Sequence, residues 1–134
     1  MSRIAYVNGR YVPHRSAAVH IEDRGYQFAD GVYEVCEVKG GRLVDVTRHL
    51  DRLDRSLSEL SIAAPMGRPA LIQVMREVVR RNRVRDGMVY LQVTRGVSRR
   101  DHVFPPADVR PALVLTARSS DPAAAAKAAA TGVA

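Results

Sequence analysis

Lysine is almost missing from this chain. Of its 21 basic residues 19 are arginine, and Lys39 and Lys127 are the two lysines. Any chemistry that needs a lysine amine has only those two places to start. Cysteine is single, at Cys36, so the chain has no internal disulfide framework. Tryptophan is absent and phenylalanine occurs twice, which leaves Leu, Val, Ile and Ala to build a core. No apolar run approaches the roughly 20 residues that a membrane-crossing helix needs. The opening MSRIAYVNGRYV has no apolar leader segment, and the expected compartment is the cytoplasm. His14, His20 and His49 show no short-range ligand spacing, so no metal site is expected. A glycine-rich phosphate loop and a Ser-His-Asp pattern are both lacking.

What is there suits one globular domain. The chain has 134 residues, 46% of them hydrophobic and 26% charged, enough for one compact core and hardly two. A net charge of +7 raises the question of an anionic partner, and Arg76, Arg80, Arg81, Arg83 and Arg85 are the obvious basic cluster. No aromatic residue interleaves that cluster for base stacking, and acids are interspersed. The excess of Arg over Lys, beside abundant Ala and Val, reads as a coding bias. Neither nucleic acid nor membrane is expected as a partner.

Residues 4–7 and 10–12 flank Asn8-Gly9, a dipeptide that tolerates the positive φ angles of a two-residue hairpin. Gly31 to Lys39 reads as a strand, turned by Gly40-Gly41 into a second one over Arg42 to Val46. Period-two alternation puts Tyr33, Val35 and Glu37 on one face of the first strand, and Val32, Glu34, Cys36 and Val38 on the other, with Cys36 read as a small core residue. Thr47 is the expected N-cap of a helix to about Ile62, with Leu50, Leu53, Leu57 and Leu60 as its apolar stripe. A second helix starts near Pro69. Met88 to Thr94 and Pro111 to Ala117 are further strands, and the polar, Pro-rich run from Arg95 to Pro106 is a loop. The fold class is α+β, a largely antiparallel sheet with two helices on one face. Residues 1–118 form this domain. Residues 119–134, rich in Ala and interrupted by Pro122, read as a tether without its own core that leads to the start of a further strand.

Arg100 and His102 share the loop, separated by one residue. A guanidinium presents a planar fork of donors that matches a carboxylate, and an imidazole and the phenol of Tyr33 could add hydrogen bonds. Read alone, R-x-H is a weak signal. Arg52, read alone, is a surface partner for a neighbouring acid such as Asp51 or Asp54. Val35, two residues beyond Tyr33 on the same face, suits either a pocket or ordinary packing.

The order of three segments changes that weighting. EDRGYQFADGVYEV at 22–35, HLDRL at 49–53 and QVTRGVSRRDHVFP at 92–105 resemble the fold-type-IV aminotransferases, which use pyridoxal phosphate, and most closely the D-amino-acid aminotransferases. The resemblance runs from near residue 4 to near residue 118. It implies the N-terminal domain of that fold, and the transfer of an amino group from a D-amino acid to a 2-keto acid. By the same resemblance Tyr33, Val35, Arg100 and His102 bind substrate, Arg52 holds the cofactor phosphate, and the enzyme is a homodimer whose loop reaches into its partner's site. The Schiff-base lysine and a second, cofactor-binding domain are expected outside this chain, because neither Lys39 nor Lys127 stands where the resemblance needs one. The chain by itself is then inactive. Arg99 and Asp101 depart from the group's usual residues, and Asp101 is placed to compete for Arg100. The alternatives are a branched-chain aminotransferase or aminodeoxychorismate lyase, both disfavoured by R-x-H, and a non-catalytic dimerisation or interaction module.

Overall fold

The computed structural model describes residues 3–133. Its centre is one antiparallel sheet of six strands: β1 (Ile4–Val7), β2 (Arg10–Pro13), β3 (Gly31–Lys39), β4 (Arg42–Leu43), β5 (Gly87–Thr94) and β6 (Ala112–Ser119), in the spatial order β2-β1-β6-β5-β3-β4. Asn8 and Gly9 take φ of 46° and 92° at the tip of the first hairpin, which pairs Val7 with Arg10. That is the geometry expected of an Asn-Gly turn. The long strands β3, β5 and β6 lie side by side, with Glu34 opposite Leu91 and Tyr33 opposite Gln92.

Two helices cover one face. α2 (Val46–Glu59) buries Leu50, Leu53 and Leu57, and α3 (Arg68–Arg81) buries Leu71, Met75, Val78 and Val79. They close over Cys36, Val38, Val89, Leu91, Val93 and Leu115 of the sheet. Burying such side chains stabilises by about 1.5–3 kcal/mol each, so this layer holds the domain together. Asn82 ends α3 and ties it to the first strand. Its amide nitrogen donates to the carbonyls of Val78 and Ile4, and its oxygen accepts from the Ile4 amide.

The alternation read from the sequence holds along β3: Glu34, Cys36 and Val38 are buried, while Tyr33, Val35 and Glu37 face outward. Several local expectations change. β4 stops at Leu43, because Asp45 adopts a left-handed φ of 52° and the helix begins at Val46. Thr47 therefore lies inside α2 and is not its cap, and Leu60 is exposed beyond the helix end. A five-residue helix, α1 (Arg24–Phe28), is capped by the Asp23 carboxylate, which accepts from the Gly25 amide. The alanine tether is also a helix, α4 (Pro122–Thr131). Pro122 sits in its first turn, where no amide hydrogen is needed, and Asp121 caps it. None of its residues is buried, so it has no core of its own. Gly132 and Val133 are not strand, and Ala134 lies outside the described residues.

Among the described residues, no helix is long and apolar enough to cross a membrane. Two of the five arginines of the basic cluster are engaged: Glu77 pairs with Arg80 and Arg81, and Arg81 also stacks over the Tyr11 ring at 4.1 Å.

Candidate active site

Three groups of candidate side chains gather around the start of β3 and the end of β5. The first is on the outer face. Tyr33 is 64% exposed and stacks on Tyr90 across the strand pair, with ring centroids 5.7 Å apart. Val35 is 36% exposed beside it, in register with Tyr90. Both side chains therefore stand outside the core, on the solvent face of the sheet.

The second group sits on the covered face of the same strand. Glu34 points inward with a side chain only 2% exposed. Its two oxygens accept from Arg52 Nε at 2.7 Å and Arg52 Nη2 at 2.8 Å, and the His49 Nδ1 lies 2.8 Å from Oε2. Burial pushes the Glu34 carboxyl up, but the hydrogen bonds and charges of Arg52 and His49 outweigh it and hold the group below the usual carboxylate range. An ionised carboxylate has no proton to give, so the His49 Nδ1–H is the donor. Arg52 thus pairs with neither Asp51 nor Asp54. Those two acids bind Arg68 of α3 instead. The hydrogen bonds that Arg52 donates to Glu34, and then the charge of Glu34, hold the Arg52 guanidinium more firmly protonated than usual. Glu34 takes two of the five N–H donors of a guanidinium, and the side chain remains 65% exposed. The remaining donors suit a phosphate.

The third group is the loop after β5. Asp30 anchors its root: it accepts from Arg24 Nε at 2.9 Å and from Arg95 Nε at 2.7 Å. Burial raises the Asp30 carboxyl, and hydrogen bonds from Arg95 and Arg24 pull it down past its ordinary value. Arg95 also caps the carbonyls of Leu60 and Ser61. Gly96 has φ 108°, and a Cβ there would fall 2.0 Å from the Arg110 carbonyl oxygen, so only glycine fits. Arg100 and His102 are exposed, and both lie against Phe28: the guanidinium carbon of Arg100 is 5.0 Å from the ring centroid, and the imidazole meets the ring edge-on at 5.9 Å. Asp101 does not compete for Arg100. Its carboxylate accepts from the Val103 amide, and its carbonyl from Arg24.

The structure therefore brings Arg100 and His102 together, and joins Tyr33 to Val35. No hydrogen bond or ring contact links Tyr33 to Arg100 or His102 among the described residues. The sequence reading passed over Glu34, His49, Asp30, Arg24, Arg95 and Phe28. Glu34 carried a signal, a charged residue on the buried side of an alternating strand, and so did the i,i+3 spacing of His49 and Arg52.

The family model for amino-transferase class IV matches residues 31–134. This chain belongs to the class IV aminotransferases. It is 40% identical over 116 residues to the D-alanine aminotransferase of Staphylococcus haemolyticus, covering 87% of this chain and 41% of that protein. The D-alanine aminotransferase of Listeria monocytogenes is 43% identical over 100 residues, 74% of this chain and 35% of that one. The chain thus spans about two-fifths of the length of the curated relatives it matches. Among solved structures, the branched-chain amino acid aminotransferase of Escherichia coli superposes with a TM-score of 0.80 at 18% identity, over 90% of this chain and 42% of that one. At that identity the likeness is one of fold. The 4-amino-4-deoxychorismate lyase of Pseudomonas aeruginosa gives 0.68 at 29% identity, over 87% and 40%. In this class IV aminotransferase chain, six antiparallel strands and their covering helices are the α+β arrangement expected from the sequence.

Proposed function

We propose that this chain forms the substrate-side part of a pyridoxal-phosphate-dependent D-amino-acid aminotransferase, exchanging an amino group between a D-amino acid and a 2-keto acid. The observation that carries the reading is the pair Arg100 and His102, which share one aromatic ring and make no hydrogen bond or ion pair with any other described residue. Polar donors held in place without a partner are ready for a ligand. The Arg100 fork takes the substrate α-carboxylate bidentately, and His102 adds a further donor. Tyr33 completes the set with its phenol, and Val35 lines the wall beneath the substrate side chain. The relatives named D-alanine aminotransferase support a D-amino acid as donor.

The residues present fit part of the cofactor. Arg52 supplies donors for its phosphate and is fixed by Glu34, so the anion meets an oriented guanidinium. A lysine is the missing part. Lys39 is at the opposite end of β3 from Gly31, six residues beyond Tyr33, or about 20 Å along an extended strand. Lys127 is on the exposed α4. The linking lysine belongs to a further part of the polypeptide. The bound cofactor supplies the electron sink, while this chain's residues orient substrate and phosphate. The resemblance to D-amino-acid aminotransferases implies that the complete carboxylate site forms between two copies, each lending its loop to the other, and the lack of contact between Tyr33 and Arg100 or His102 within one chain is compatible with it.

The test is transamination by the longer polypeptide that carries this chain. D-alanine with a 2-keto acid should turn over with pyridoxal phosphate bound, and L-leucine and aminodeoxychorismate should be poor substrates. Preference for either of those two would reverse the assignment.

A further inference from the structure

The ring of Phe28 stands at the meeting point of three side chains. Arg24 lies over it at 4.8 Å, Arg100 at 5.0 Å, and His102 meets it edge-on at 5.9 Å. Phe28 is half-buried and stands outside the hydrophobic core cluster, so filling the core does not account for it. The same Arg24 is buried and does more than stack. Its Nη1 donates to the carbonyl of Asp101 at 3.0 Å and, at the limit of hydrogen bonding, to that of Val103 at 3.5 Å. Those two carbonyls flank His102 on either side. Its Nε is held by Asp30, which also holds Arg95 at the root of the loop. Arg24 and Phe28 are four residues apart on α1, hence on one face of it.

We propose that Phe28 is the positioning residue for the R-x-H pair: its ring is the common platform that presents Arg100 and His102 to a carboxylate, while Arg24 clips the backbone on both sides of His102. This deepens the carboxylate-binding reading above and rests on it. The physical reason is economy of order. An exposed arginine has many rotamers, and a ligand that binds one of them must oppose the lost freedom. The negative face of an aromatic ring attracts the guanidinium and narrows that choice before substrate arrives. The edge-on imidazole is the arrangement that the ring quadrupole favours. Neither contact consumes a hydrogen-bond donor. Both side chains stay ordered, with their N–H groups free for an anion. The clip has a different job, since fixing the carbonyls of residues 101 and 103 sets where the His102 side chain starts.

The decisive comparison is Phe28→Leu against Phe28→Tyr, read first by NMR on the chain itself. The His102 ring protons, assigned by loss in His102→Gln, should carry a ring-current displacement. Phe28→Leu should abolish it, and Phe28→Tyr should retain it. In the longer enzyme Phe28→Leu should raise KM for D-alanine about three- to tenfold with kcat nearly unchanged, as expected for one exposed cation–π contact plus one ring contact. Phe28→Tyr should restore it. An unchanged melting midpoint for Phe28→Leu separates positioning from folding. If Phe28→Leu destabilises the chain, Arg24→Lys serves instead; it keeps the charge, loses the two-carbonyl clip, and should broaden the same His102 resonances. A His102 displacement that survives Phe28→Leu would overturn the proposal, as would an unchanged KM. If instead Arg100→Ala leaves KM untouched while the ring-current result holds, the platform stands and the carboxylate assignment of Arg100 falls.

Discussion

Glu34 accepts two parallel hydrogen bonds from Arg52, one at each carboxylate oxygen, across 18 positions of sequence. The contact joins the inner face of β3 to α2 and does two things at once. It neutralises a buried carboxylate, which would otherwise cost several kcal/mol. It also fixes a guanidinium whose side chain remains mostly in solvent, and fixed guanidinium groups bind phosphates better than mobile ones.

Replacing Glu34 with Gln tests the first of these. The substitution keeps shape but turns one acceptor into a donor facing Arg52 or His49, and should cost on the order of 1–3 kcal/mol near neutral pH. The folded-state carboxyl titrates below its ordinary 4.5. Its contribution is therefore complete above that value and is lost as pH falls through the folded one. Urea unfolding of the two proteins should differ most near neutral pH and converge as pH falls below the usual carboxylate range. A gap that stays constant with pH would show that the carboxylate charge is not the source.

Gly96 sets the geometry of the loop base. Alanine there meets both a φ of 108° and the Arg110 carbonyl oxygen. Strained backbone of this kind costs about 1–3 kcal/mol before the clash is counted. The Gly96 carbonyl also accepts from the Arg24 amide at 2.9 Å, so the disturbance should spread to the His102 resonances. Gly96→Ala should lower the unfolding midpoint in denaturant and shift those resonances together. A stable variant with an unmoved loop would contradict the close approach.

Borohydride treatment of the chain mixed with pyridoxal phosphate should give only sparse labelling, divided between Lys39 and Lys127. One ends a strand at a hairpin turn and the other lies on an exposed helix without buried residues. Stoichiometric reduction onto either one, mapped by mass spectrometry, would mean that the chain holds its own linking lysine.

Much of this architecture was legible from local pattern. Alternation along β3 assigned Tyr33 and Val35 to one face and Cys36 and Val38 to the other, because a strand has only two sides. The leucine spacing of α2 was read correctly as far as Leu57, and failed at Leu60, where the helix had already ended. The short helix α1 was missed because five residues including a glycine carry no periodicity. Pro122 was read as a breaker, although a first helical turn tolerates it. The site was legible only in its outward-facing members. Tyr33, Val35, Arg52, Arg100 and His102 are candidates named by resemblance. Glu34, Asp30 and Phe28 act through contacts that join distant segments, which no spacing along the chain displays.

The central claim is a division of labour between two arginines, and kinetics of the longer enzyme test it most directly. Arg100→Ala should chiefly raise the Michaelis constant for D-amino acids, by about ten- to a hundredfold, the equivalent of roughly 1.5–3 kcal/mol for a charge-assisted hydrogen bond. Cofactor retention should hardly change, and amines without a carboxylate should be affected far less. Arg52→Ala should do the reverse, weakening retention of pyridoxal phosphate first and substrate affinity only secondarily. If Arg100→Ala released the cofactor while leaving D-amino-acid kinetics intact, the two roles would be assigned the wrong way round.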